Sequence, residues 1–447
     1  MNPTIKLQAG PWCGAVTPNS TVIKATVKAK TKADAAKAKL KLAEDAAFTQ
    51  NVHLQAPAGE PWEDETLDYE RYILTFRVTG LTANTPYHYQ LVDSASQSLT
   101  PPCGFRTFPP DGQRSGFRFA SASCDRGQLD ETFRAIASEE DLLLFIHLGD
   151  LYYDIKGTRV GERLEDYDKV LARVGVQQLF GKVPVPYTWD DHDYLGNSSH
   201  GGSKGGPAAR EAYRLYVPHY PLPEKDDGIY HSFGVGNVLF VVTDTRSRKS
   251  PPKDPDTSAK TMLGAKQKQW LKDTLTGAKT RDLVFLVNSI PWLAGRDAGK
   301  DHWAGFDTER TELVSFIRKN KIDNLCMLSG DAHMLTYKAS EQDGEKHPWD
   351  WGGFPIFHTA SIGSPGSEKG NGYTVKPKKG QWQWGAFSVS YPDSSHVELG
   401  FIGRHLRRLL PHAKNEPHAF ADRGQVFQIQ NAKSDGKVMH YRFRRKI

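Results

Sequence analysis

The chain has 447 residues, 38% apolar, 25% charged and 11% aromatic, which excludes a disordered polyelectrolyte and leaves room for a sizeable buried core. A formal charge of +6 is mild over this length, and its clusters at 24–41 and 442–446 read as solvated surface, with a weak attraction for anions as the alternative. No run of about 18 apolar residues predicts a membrane span, and the four cysteines show neither CxxC nor zinc-finger spacing.

In chain order, residues 10–108 read as short strands between turns: 15–16, 21–28, 72–78, 87–92 and 103–108. The stretch 72–78 alternates with period two, as a half-buried strand does. Gly80-Leu81-Thr82-Ala83-Asn84-Thr85-Pro86 follows it, then Tyr87-His88-Tyr89, a pattern similar to a fibronectin type III or related β-sandwich. The Ala/Lys-rich stretch 33–47 fits one or two helical turns, or a strand pair with a polar face. Cys13 and Cys103, near the two ends of this region, fit either a pair formed in an oxidising compartment or two free core thiols. The N-terminus carries no apolar signal core, so the expected location is cytoplasmic, or secreted or periplasmic if a leader has been removed.

Residues 109–116 form a linker by composition. The pattern then changes. Strands are predicted at 117–122, 142–148, 238–243, 283–287 and 325–328, and helices at 130–138, 267–275 and 311–320. Residues 183–188 lead into Trp189-Asp190-Asp191-His192-Asp193. Strands alternating with helices predict a layered α/β domain. The expected division is a β-sandwich over residues 1–110 and a catalytic α/β unit over 111–447.

The polar residues fall where these apolar segments end: Cys124, Asp150, Asp190 and Asp191, Asn288, and Asp331. Ligands bind beyond the carboxyl ends of strands in open α/β sheets. Acids converging there repel one another unless positive charge sits between them, which a cluster of cations supplies. Oxygen donors suit Ca²⁺, Mg²⁺ or Mn²⁺, whereas a thiolate and a phenolate beside them suit iron. Each residue alone has a plainer reading. Cys124 could be an inert core thiol, Tyr153 a core aromatic like Tyr152, Asp150 a helix cap, and His333 a satisfied core histidine. Arg210 and Arg214, after the Gly-rich loop 201–206, fit either phosphate contact or the exposed face of a helix. That loop lacks the Lys-Ser/Thr of a Walker motif, and no Gly-x-Ser-x-Gly elbow is present.

Gly149-Asp150, Asp191-His192-Asp193 and Gly330-Asp331-Ala332-His333, in this order, resemble the motifs of metallophosphoesterases. Ser121-Ala122-Ser123-Cys124, Gly149-Asp150-Leu151-Tyr152-Tyr153 and a final GDxH in place of GHxH resemble the PhoD-like alkaline phosphatase branch. The resemblance implies a four-layer β-sandwich flanked by helices, preceded by a small all-β domain. It implies Cys124 and Tyr153 on a ferric ion, Asp150 bridging to a second metal, and Asp191 opposite. Asp190 would be ligand or support, and Asp331 and His333 would complete the set. Asn288 stands where the wider family often has a histidine ligand. His192 follows the pattern of a general acid or phosphate contact. The implied cofactors are Fe³⁺ and Ca²⁺, with Mn²⁺, Mg²⁺ or Zn²⁺ as alternatives. The expected reaction is attack by a metal-bound hydroxide on phosphorus in a small phosphoester. Two rivals stay open: a phosphodiesterase acting on nucleic acid or phospholipid, and an inactive binding protein.

Overall fold

A computed structural model of the chain describes residues 5–63, 70–127, 130–153, 157–409, 419–422 and 425–447. The first hundred residues give, in order, strands β1 (Ile5–Gly14) and β2 (Ser20–Ala29), the one-turn helix α1 (Lys32–Ala35), and strands β3 (Lys39–Ala43), β4 (His53–Gln55), β5 (Arg71–Thr79), β6 (Pro86–Val92) and β7 (Cys103–Arg106). They form two antiparallel sheets, ordered β1-β2-β5 and β4-β3-β6-β7. Ile23 and Phe76 of the first sheet share one buried cluster with Leu40 and Tyr89 of the second. Residues 15–16, read as a strand from sequence, are not one. The strand ends at Gly14, and Ala15 turns away with a φ of 45°. The stretch 33–47 holds both of its candidate structures, one helical turn and then a strand.

The outer face of the first sheet is covered by the rest of the chain, which is why the early half of β5 is buried on both sides. Ile73 packs in a cluster with Tyr167 and Phe180. Arg71 pairs with Asp168 at 2.5 Å, both buried. The Lys24 ammonium donates to the carbonyls of Arg214 and Leu215 at 2.7 and 2.8 Å, a cation on the negative end of a helix.

The remaining elements, again in order, are β8 (Phe117–Ala122), α2 (Glu131–Ala137), β9 (Leu142–His147), α3 (Val160–Leu171), α4 (Val174–Phe180), α5 (Asp191–Tyr194), α6 (Gly206–Tyr216), β10 (His231–Val235), β11 (Val238–Val242), α7 (Gly264–Gly277), β12 (Leu283–Asn288), α8 (Asp307–Lys319), β13 (Leu325–Ser329), β14 (Met334–Lys338), β15 (Ile356–Thr359), β16 (Lys378–Lys379), β17 (Gln383–Asp393), β18 (His396–Leu409), β19 (Ala419–Asp422), β20 (Gln425–Asn431), the pair β21 (Lys433–Ser434) and β22 (Lys437–Val438), and β23 (His440–Lys446). One sheet runs β10-β11-β12-β13-β15-β14-β16, parallel from β11 through β15. The other runs β19-β20-β18-β17-β8-β9, with β23 also on β18. In it β8 and β9 are parallel and the rest antiparallel.

Strand β8 shows how the layers form. Phe117 and Phe119 point into the cluster between the sheets, and Ala120 and Ala122 into the cluster with α2, α3, α4 and α6. Phe119 stacks on Phe387 at 4.6 Å and meets Phe285 of the facing sheet edge-on at 5.1 Å. On the far side, Val284, Leu286 and Met327 pack with Leu271, Leu275, Leu313 and Ile317 of α7 and α8. Strands β12 and β13 are therefore buried on both faces, and this is why their sequence is continuously apolar rather than alternating. The sequence reading assigns no element beyond residue 328, where the structure places β14 through β23. Residues 183–188 run beside β9, with Phe145 and His147 donating to the carbonyls of Pro184 and Pro186 at 3.0 Å each. A proline has no N–H to return, so this segment forms only the Tyr187 bridge.

Two core histidines give the fold an acid-sensitive component. Burial holds His147 down to about 3 and His231 down to about 4, against the ordinary 6.5. Unfolding exposes both, so below pH 6.5 the unfolded chain binds more protons than the folded one. Stability therefore falls as pH drops from 6.5 toward 4, by up to about 1.4 kcal/mol per pH unit for each histidine. The urea midpoint of chelator-treated protein should drop between pH 7.5 and 5.5, and the drop should shrink in His231→Gln.

Candidate metal centre

Five chain segments deliver the site, and three of them deliver it through unusual backbone. Cys124 follows β8, Asp150 follows β9 and Asp331 follows β13; all three have left-handed φ values of 65°, 56° and 67°. Such conformations cost free energy in non-glycine residues and persist where surrounding structure holds them. The glycines of the two Gly-Asp pairs have their own cause. A Cβ on Gly149 would lie 2.6 Å from the Asp190 nitrogen, and one on Gly330 would lie 2.8 Å from Ser123 Oγ. Only glycine lets these strand ends approach so closely.

Asp193 ties two of the segments together. Its carboxylate accepts the backbone N–H groups of Asp150, of Leu151 at 2.6 Å, of Tyr152 at 3.2 Å and of Asp190 at 3.0 Å. Burial pushes its carboxyl up to about 7 against the pull of those donors. The neighbouring segment then presents Asp190, Asp191 and His192 to Asp150. The His192 backbone N–H donates to Asp150 Oδ1 at 3.2 Å.

Asp150 is the centre of the arrangement. Ligand atoms of Cys124, Asp150 and His333 lie within 4.8 Å of one another, and so do those of Asp150, Asp191 and His192. The Tyr153 hydroxyl donates to Asp150 Oδ2 at 2.8 Å, lies 3.5 Å from His333 Nε2 and accepts from Ser364 Oγ at 2.8 Å. The His192 ring lies over Tyr153 at 4.1 Å, and its Nε2 stands 3.9 Å from Asp191 Oδ1. His333 turns its other ring nitrogen to the Pro365 carbonyl at 2.5 Å. This fixes which nitrogen faces the cluster, as a ligating histidine requires.

Asp190 and Asp331 each commit one oxygen to a cation of the chain. Arg246 donates to Asp190 Oδ1 through Nε at 2.7 Å, and Ser289 Oγ donates to it at 3.0 Å. Lys369 donates to Asp331 Oδ1 at 2.6 Å. The second oxygens, Asp190 Oδ2 and Asp331 Oδ2, are buried with no hydrogen-bond partner among the described residues. Asn288 donates its amide to the Ile290 carbonyl, and its Oδ1 accepts from Trp303 Nε1 at 3.0 Å. A carbonyl oxygen has a second lone pair, so that acceptor keeps capacity for a cation. Arg210 lies half-buried on α6 with its guanidinium beside Tyr194, and among the described residues no ion pair joins it to the acids.

Burial, and then the carboxylates of Asp191 and Asp190, push Asp150 well above the usual range. Burial also raises Asp190, although Arg246 opposes it, and burial and then Asp150 raise the Cys124 thiol. For Asp331 burial acts upward, but Lys369 and Arg246 prevail and hold it low. Burial lowers both His192 and His333, against the carboxylates of Asp191 and Asp331. Acids that cannot all ionise together, two partnerless buried carboxylate oxygens and a buried thiol fit a site built for cations.

Sequence reasoning missed Asp193 as the brace, although it stands inside the Asp-His-Asp motif. Arg246 was not foreseen as the partner of Asp190, and only the fold turns it inward. Lys369 and Ser364 lie in a loop with no motif, and only the fold brings them near.

Comparison with known proteins places the chain in a family. The family model described as PhoD-like phosphatase matches residues 119–394, a span that holds every residue of the cluster. Alkaline phosphatase D of Bacillus subtilis (strain 168) is 26% identical over 345 residues, 66% of this chain. The chain spans 58% of the length of that relative. Among solved structures, that of PhoD is similar with a TM-score of 0.74 at 18% identity, covering 98% of this chain and 94% of the other. Purple acid phosphatase PPD1 from yellow lupin (Lupinus luteus) seeds is similar with a TM-score of 0.62 at 13% identity, covering 88% and 71%. These two likenesses concern the fold.

Proposed function

Because the chain belongs to the PhoD-like phosphatase family, we propose that it hydrolyses phosphoesters at a metal centre organised around Asp150. The observation that carries this reading is that two groups of ligand atoms overlap on that one carboxylate. On one side Cys124, Tyr153 and His333 offer thiolate, phenolate and imidazole, a set suited to Fe³⁺. On the other Asp191, with Asp190, Asp331 and Asn288, offers oxygen donors suited to Ca²⁺, with Mn²⁺, Mg²⁺ or Zn²⁺ as substitutes. Bound there, cations supply neutralisation of the phosphoryl charge and activation of water for in-line displacement at phosphorus.

The chain's own residues perform the rest. His192 stands at the rim, one-quarter exposed, between Tyr153 and Asp191. From there it gives a proton or a hydrogen bond to the leaving oxygen. Arg246 and Ser289 hold Asp190 in one orientation, and the Asp193 brace keeps Asp150 against the Asp190–Asp191 segment. On this reading residues 111–447 are the four-layer catalytic domain. Residues 1–110 are a fibronectin type III-like module, a division that the three- and four-stranded sheets support.

The test is metal content by elemental analysis beside hydrolysis of para-nitrophenyl phosphate and its bis-ester, for wild type and Cys124→Ala. Iron and a second metal near stoichiometry, with iron and activity lost together in the variant, is the expected result. A fully active Cys124→Ala protein holding only divalent ions would remove Cys124 and Tyr153 from the metal set. Metal-free protein inactive on both esters with every added cation would overturn the whole reading.

A further inference from the structure

Lys369 enters the centre from a loop that no strand of either sheet supplies. Its backbone is held in place: Tyr373 donates to the Lys369 carbonyl at 3.3 Å, and Asn371 N–H donates to the Leu293 carbonyl at 3.1 Å. Gly370 between them has a φ of +82°, and a Cβ there would strike the Leu293 carbonyl oxygen. The side chain reaches Asp331 Oδ1 at 2.6 Å, yet it is still 35% exposed. An ammonium has three donors, and among the described residues Asp331 is the acceptor found for one of them. For the other two no acceptor is found among the described residues. Lys369 therefore differs from Arg246, which is fully buried and spends its guanidinium on Asp190, Asp301 and the Ser199 carbonyl.

We propose that Lys369 is a substrate-binding residue that selects phosphomonoesters over phosphodiesters by giving its free donors to a terminal phosphoryl oxygen. The inference rests on the proposed phosphoesterase reading and narrows it. A phosphomonoester has three non-bridging oxygens and, with a second pKa of about 6, is a dianion at neutral and alkaline pH. A diester has two such oxygens and one negative charge, and its second substituent occupies the place of the third oxygen. A cation fixed at the solvent side of Asp331 interacts with the third oxygen and the extra charge of the monoester. Opposite a diester it meets a neutral ester group and spends its donors on water. Because the same ammonium also holds Asp331 Oδ1, it approaches from a fixed direction, and little ordering remains to be done on binding.

The test uses the metal-loaded protein and the variants Lys369→Met and Lys369→Arg, with metal content and melting temperature measured for each. Binding of inorganic phosphate by calorimetry reads the contact without turnover. We expect Lys369→Met to weaken phosphate binding at least tenfold at wild-type metal content. It should also lower the ratio of kcat/KM for para-nitrophenyl phosphate over its bis-ester about tenfold, mainly through KM for the monoester. Lys369→Arg should recover much of both. Unchanged phosphate affinity, or mono- and diester rates that fall together with the ratio intact, would overturn the proposal while leaving the phosphoesterase reading standing. Lost metal in Lys369→Met that Lys369→Arg restores without restoring phosphate affinity would overturn it too, since Lys369 would then only orient Asp331. Should wild type hydrolyse neither ester, the phosphoesterase reading falls, and the phosphate titration still decides whether Lys369 binds the anion.

Discussion

Asp150→Asn is expected to lower kcat/KM for para-nitrophenyl phosphate by about a thousandfold or more, the loss of several kcal/mol of charge stabilisation at 1.36 kcal/mol per decade. The reason is position. Asp150 belongs to both ligand groups, so neutralising it weakens the sites on either side at once. The amide keeps the shape of the carboxyl and can still accept from the His192 N–H, so the fold should be retained. Elemental analysis should show loss of more than one equivalent of metal, whereas Cys124→Ala should lose one. A variant that keeps its metal and half of its activity would show that Asp150 bridges nothing.

Arg246→Met is expected to be the most destabilising single change at the site. The guanidinium is fully buried and pairs with Asp190 at 2.6 Å and with Asp301 at 2.7 Å. Lys249 remains on Asp301, but Asp190 would lose its partner in a pocket that already holds Asp150, Asp191 and Asp331. Breaking one side of a buried ion pair costs about 3–5 kcal/mol, which urea unfolding of chelated protein would register. Two further comparisons isolate the cause. Metal loading should narrow the gap to wild type, since cations replace part of the lost charge. Adding Asp190→Asn should recover part of the loss, a coupling that a double-mutant cycle measures. A loss under about 1 kcal/mol, or one that Asp190→Asn leaves untouched, would mean the pair is incidental.

The two predictions draw on different kinds of information. Asp150 was legible because an apolar strand ending in Gly-Asp is a local pattern, and its repetition at Gly330-Asp331 placed two acids at strand ends. Arg246 was visible only as a basic residue after a strand, and nothing local said that it would turn inward to Asp190 rather than outward to substrate. The same division applies to the fold. The parallel strands β12 and β13 were legible because burial on both faces leaves a continuous apolar run. Strands β14 to β23 were missed from the sequence. The first strand was misplaced onto residues 15–16 because its own residues, Ile5–Gly14, carry the irregular register of a strand that shifts twice against β2.

By itself, the sequence determined the layered α/β class and the order of the acids, thiol and histidines along the chain, because period, apolar runs and glycine spacing are properties of neighbouring residues. Only the tertiary structure decided that Asp150 is shared by two ligand groups, that Asp193 braces two segments, and that Arg246 and Lys369 divide the remaining oxygens between a buried and an open cation. Those facts depend on distances between residues 38 or more positions apart. Such distances are set by how strands pair and how left-handed turns aim their side chains, neither of which a local pattern records.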